Sequence, residues 1–190
     1  MSSYGFRERI LEVREDGSAL SNSTTQTSIL PASAKEATLG AGLLRPGKVI
    51  AFEFSGRIST VVTTPGTLAL ALRFGSVDAF ASGSMTLNTT AQTNVHWVLR
   101  GELVCRATGT STSTTLFPKG CVFTSHAVIG SAAPTAGTAG THILPYNSAP
   151  AVGSGFDFSV SQLLDLLATW SVANASNSIT LHAGHVDVYT

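Results

Sequence analysis

An all-β fold, an antiparallel β-sandwich, is predicted by three features of this 190-residue sequence. Apolar and polar residues alternate with a period of two over several runs, the pattern of strands that bury one face. Clusters of Gly, Pro, Ser, Thr and Asn punctuate those runs at short intervals, and no helix–strand alternation appears, which removes the α/β architectures. Charged residues make up only 12% of the chain against 43% hydrophobic. That is about half the usual charge, and the Ser, Thr, Gly and Ala that replace it suit strands with short polar faces.

Residues 1–35 differ from the rest and are expected to form an N-terminal arm, with the sandwich domain over residues 36–190. Most of the charge in that arm lies between Arg7 and Asp16, and a Ser/Thr/Asn tract follows from Ser18 to Ser28. The stretch Glu8–Val13 fits a short strand or one helical turn. The arm is either a loose terminus or a segment that docks on a neighbouring subunit.

From Val49 the strand pattern is clear. Ile50, Phe52, Phe54 and Ile58 share one parity while Glu53, Ser55, Arg57 and Ser59 take the other, with Gly56 a candidate bend or bulge. Thr64, Pro65 and Gly66 signal a turn, because proline pre-sets φ and glycine accepts positive φ. The next strand spans Thr67–Phe74, with Leu68, Leu70, Leu72 and Phe74 on one face, and Gly75 and Ser76 end it. Val77–Ala81 and Ser84–Asn88 are shorter strands.

Thr93–Thr108 is the longest regular run. Val95, Trp97, Leu99, Leu103 and Cys105 point inward, and His96, Arg100, Glu102 and Arg106 outward. Thr114–Ile129 returns beside it as a long hairpin, with Pro118, Lys119 and Gly120 as an interruption. Gly130–Gly140 reads as a loop, Thr141–Leu144 as a short strand, and Pro150–Gly155 as another turn. Residues 163–170 are ambiguous. Leu163, Leu164, Leu166 and Leu167 make a helical stripe, yet Leu164, Leu166, Ala168 and Trp170 also alternate. The surrounding β pattern favours strand. Ile179–Tyr189 is the last strand. Roughly eight strands in two sheets make a jelly roll, with Phe52, Phe54, Leu70, Leu72, Trp97, Leu99 and Leu103 in its core.

No catalytic, cofactor-binding or metal-binding residue is expected. A Gly-x-Ser-x-Gly elbow, a phosphate-binding glycine loop and a His-Glu-x-x-His motif are all absent. His182 and His185 are the one close histidine pair, and an odd spacing on a strand places them on opposite faces. Cys105 and Cys121 both fall on apolar parities, as buried small hydrophobes; a disulfide between them needs Cα atoms within about 7 Å. The acidic residues Glu53, Asp78, Glu102, Asp157, Asp165 and Asp187 are scattered, whereas a glycosidase needs two facing carboxylates. The formal net charge is zero, without a basic stripe for nucleic acid. No run reaches the roughly 18 apolar residues of a membrane helix, and the N-terminus lacks the apolar run of a signal peptide.

Three stretches carry a resemblance: Leu44 to Thr60 (LRPGKVIAFEFSGRIST), Pro65 to Gly75 (PGTLALALRFG) and Ala168 to His182 (ATWSVANASNSITLH). Over residues 38–190 the chain resembles jelly-roll virion structural proteins of tailed bacteriophages. The resemblance implies a capsid decoration (cement) protein that binds the major capsid protein and stabilises the shell, as a homotrimer located in the virion after synthesis in the host cytoplasm. The alternative that it admits is a tail or adsorption protein with a carbohydrate- or receptor-binding jelly-roll domain. Trp97 and Trp170 lie on inner parities, which argues against the exposed aromatics of a sugar site. The resemblance implies no enzyme activity and transfers no functional residue.

Overall fold

The computed structural model of the chain describes residues 6–130, 140–152 and 155–189. Among them are thirteen strands, one 3-10 turn at Ala32–Ala34 and no α-helix. The strands are β1 (Arg7–Val13), β2 (Leu20–Ser21), β3 (Thr27–Ser28), β4 (Thr38–Leu39), β5 (Val49–Thr60), β6 (Thr67–Phe74) and β7 (Val77–Ala81). They continue with β8 (Met85–Thr86), β9 (Gln92–Ala107), β10 (Thr115–Thr124), β11 (Gly140–Leu144), β12 (Gln162–Trp170) and β13 (Ser178–Tyr189).

Two antiparallel sheets pack face to face as a β-sandwich. The larger has the order β1-β13-β5-β9-β10-β11, with β2 also beside β13. The smaller has the order β3-β12-β6-β7, with β4 beside β12 and β8 beside β6. Eight strands, β1, β3, β5, β6, β7, β9, β12 and β13, follow one rule. Numbered one to eight in chain order, the first pairs the eighth and the third the sixth in the larger sheet; the second pairs the seventh and the fourth the fifth in the smaller.

The core lies between the sheets. Phe52, Phe54, Trp97, Leu99 and Leu103 come from the larger sheet and Leu70 and Leu72 from the smaller, and all seven are buried as predicted. Strand β12 settles its ambiguity through pairing. Leu164, Leu166, Ala168 and Trp170 stand opposite Phe74, Leu72, Leu70 and Leu68, all buried, while Leu163 is half exposed. A seven-residue ladder satisfies the backbone and overrides the helical preference of leucine. The Trp170 indole donates to the Leu20 carbonyl at 3.2 Å, tying the N-terminal segment to the core.

Four expectations need correction. The N-terminal segment is part of the domain rather than an arm: β1 pairs β13 from Arg7↔Tyr189 to Val13↔Gly184, β3 pairs β12, and Leu11, Val13, Leu20, Ile29 and Leu30 are buried. Gly56 does not bend β5. A β-carbon there would collide with the Thr180 carbonyl, and the bulge lies one strand over, between Leu181 and Ala183 of β13. Pro118 to Gly120 do not interrupt β10, since Pro118 faces Leu103 and Lys119 faces Glu102 in continuous register. Strand β11 covers β10 only from Gly120 to Thr124, so Pro118 occupies an edge position, where a missing N–H is tolerated. Because β10 runs through, Leu116 and Val122 point inward and Cys121 outward. The loop expected over Gly130–Gly140 lies largely outside the described residues, as does part of the Pro150–Gly155 turn.

Candidate functional site

The outer face of the larger sheet is built from rows of cross-strand neighbours. One row runs Tyr189, Val49, Val104, Phe117. A second runs His185, Glu53, Arg100, Cys121, Ile143. Arg100 Nε reaches Glu53 Oε2 at 2.7 Å and Lys119 Nζ reaches Glu102 Oε2 at 2.7 Å. Arg100 also lies over the Phe123 ring and Arg106 over Phe117, at 5.8 and 5.3 Å. Aromatic faces attract such cations, so the arginines cover apolar surface while remaining wet. A shallow depression of about 480 Å³ crosses Glu53, Arg100, Glu102, Lys119, Cys121 and His185. Its two carboxylates, Glu53 and Glu102, each face a cation, Arg100 and Lys119.

The two cysteines stand apart. Cys121 faces Arg100 and Cys105 faces Leu116 across the hairpin, about 16 Å from one another along the strands, and both are free thiols. Burial pushes both thiols up, and Arg100 partly offsets this at Cys121. A raised thiol is a poor nucleophile.

At the other edge of this sheet, Asp187 is fully buried between β13 and β1. Arg7 Nη2 donates to its Oδ2 at 2.5 Å and Arg9 Nε to its Oδ1 at 3.0 Å, and His185 Nε2 lies 3.4 Å away. Burial pushes the Asp187 carboxyl up, but the hydrogen bonds from Arg7 and Arg9 outweigh it and hold the group below its ordinary value. The first strand is therefore clamped to the last by a buried carboxylate.

A second depression, about 470 Å³, sits farther along the same face and is lined by Ser55, Gly56, Arg57, Asn94, His96 and His182. Two bulges make it. In β13 the register slips between Leu181 and Ala183, and in β9 two steps of β5, Ile58 to Thr60, span Val95 to Gln92, three steps of β9. A bulge adds a residue and re-aims the side chains beside it. The spacing argument for His182 and His185 therefore fails. Leu181 is buried, a β-carbon on Gly184 would strike the Phe54 ring, and the two residues between them turn outward together. Both histidines lie on the outer face, His182 in the second depression and His185 in the first. They serve separate neighbourhoods, and no group of three or more metal-ligating side chains occurs among the described residues. His182 Nδ1 meets Asp16 Oδ1 at 2.7 Å, which leaves Nε2 on the other side of the ring. The sequence offered no sign of Asn94 or Arg57 as site residues, because a bulge leaves no periodic trace.

Comparisons of the chain with protein-family models, with curated proteins and with solved structures gave no match.

Proposed function

We propose that this chain is a tailed-phage virion structural protein, a capsid decoration (cement) protein with a jelly-roll fold that self-associates as a homotrimer and stabilises the shell by binding the major capsid protein. Its work is the burial of surface rather than the turnover of a substrate, and its place is the virion. The jelly-roll reading is supported by the strand order. A long hairpin pairing first with eighth, second with seventh, third with sixth and fourth with fifth, wrapped into two sheets, gives the observed arrangement. Such a hairpin is how a jelly roll fills its two layers.

The observation that carries the assembly reading is the β11 end of the larger sheet. Among the described residues strand β11 is the last of its sheet; it has no charged residue and exposes Ile143 to 82%. An uncharged edge beside apolar outward residues is a surface suited to a neighbour. A three-fold ring would join this edge to a different surface of the next copy.

Sedimentation equilibrium of the full chain tests the assembly half. Three copies of 19.6 kDa, about 59 kDa, are expected. Antibody labelling of virions tests the location, with label expected over the whole head. A 19.6 kDa species at micromolar concentration, or label confined to the tail, would overturn the proposal.

A further inference from the structure

We propose that the depression around Arg57 is an oxyanion-binding site, for a ligand bearing a carboxylate, sulfate or phosphate group. This goes beyond the assembly role and does not depend on it. Arg57 lies on the outer face of β5 between Thr180 of β13 and His96 of β9. Arg7, Arg9, Arg73 and Arg100 each hold a carboxylate. The exposed Arg57 side chain has no such partner among the described residues.

The strands on either side both bulge at this point, one bringing His182 to the depression and the other Asn94. Two bulges converging on one free guanidinium are costly to a ladder unless the re-aimed side chains have a use. The lining holds no large apolar side chain. It offers donors in quantity: the guanidinium fork, the Asn94 amide, the Ser55 hydroxyl and two imidazoles. Asp16 holds His182 through Nδ1, which orients the ring and leaves Nε2 for a ligand, as a carboxylate behind a working histidine does. Among the described residues Asp16 is the one carboxylate hydrogen-bonded to a lining side chain, against the permanent cation of Arg57. A planar or tetrahedral oxyanion matches the fork of Arg57 in two simultaneous bonds.

NMR of the imidazole and guanidinium groups of the full chain tests this, titrating inorganic phosphate in one arm and glucuronate in the other at about pH 6, within the range where imidazoles take up protons. Saturable shifts of the His96 and His182 rings are expected with at least one anion, while the His185 ring, in the other depression, stays still. Arg57→Ala should weaken that binding at least about tenfold, with Arg57→Lys between the two. Phosphate binding alone would assign a phosphate or sulfate site, and glucuronate binding alone a sugar-acid site. The proposal is overturned if neither anion gives saturable shifts, if Arg57→Ala binds as tightly, or if only zinc moves the two rings.

Discussion

The two edges of the larger sheet solve the same problem in opposite ways. At one end β1 carries Arg7, Glu8, Arg9 and Glu12, is bulged at Ile10 between Arg9 and Leu11, and spends two arginines on the buried Asp187. Charges and a bulge keep a foreign strand from adding to an edge. At the other end β11 has neither, and its Ile143 stands in solvent. One edge carries the chain's own charges and a bulge; the other, among the described residues, carries neither.

The most damaging way to test the closed edge is to remove it. Deleting residues 1–14 takes away Leu11 and Val13, both buried, worth about 1.5–3 kcal/mol each. It also bares β13 and strips Asp187 of both arginines. A loss of at least about 3 kcal/mol in urea unfolding, with aggregation, is expected. Unchanged stability would return β1 to the status of a loose arm and dissolve the contrast between the edges.

A finer test leaves the strand in place and removes its clamp. Asp187→Asn keeps the shape but loses the ion pairs to the half-exposed Arg7 and Arg9, at a cost of about 1–2 kcal/mol after solvent screening. The sign of the pH effect follows from the direction of the shift. Asp187 is held below its ordinary value when folded. Its stabilisation is therefore complete above the ordinary carboxylate range and drains away as pH falls below about 4, through the folded value. Urea unfolding between pH 7 and pH 2 should show a steeper acid loss in the parent than in Asp187→Asn. Parallel curves would mean that the carboxylate does not hold this edge.

How far the sequence foretold this depends on whether a feature is local. The bounds of β6 and β7 follow from alternation ended by turn residues, Gly66 and Gly75, both at positive φ. The burial of Phe54 or Trp97 follows from parity alone. What escaped the sequence turns on register. Cys121 faces out because β10 passes straight through Pro118, and His182 and His185 share a face because β13 gains one residue. A slip of one residue exchanges the faces of everything beyond it, and only the neighbouring strand records that slip. The N-terminal segment failed for a related reason, since its partner β13 lies some 170 residues away in sequence. The charges that seemed to set it apart from the domain are the ones that bind it there.

The smallest expected effect on folding comes from the open edge, and it bears most directly on what closes that edge. Ile143→Lys places a charge on β11 where the side chain already stands 82% exposed. Little apolar burial is lost, so a change within about 0.5 kcal/mol is expected in the unfolding of the isolated subunit. The electrostatic effect on a partner is another matter. A lysine on an edge strand must be desolvated when a neighbour covers it, and an unpaired buried cation is far more costly than an exposed one. If β11 is the surface through which copies meet, Ile143→Lys should lower the mass in solution towards 19.6 kDa at unchanged secondary structure. Glu8→Ala on β1 serves as the matched control. It removes a charge from an exposed position of the edge that is already closed, and should leave the mass as it was. Should Glu8→Ala dissociate the assembly and Ile143→Lys leave it intact, the closed and open edges have been assigned the wrong way round.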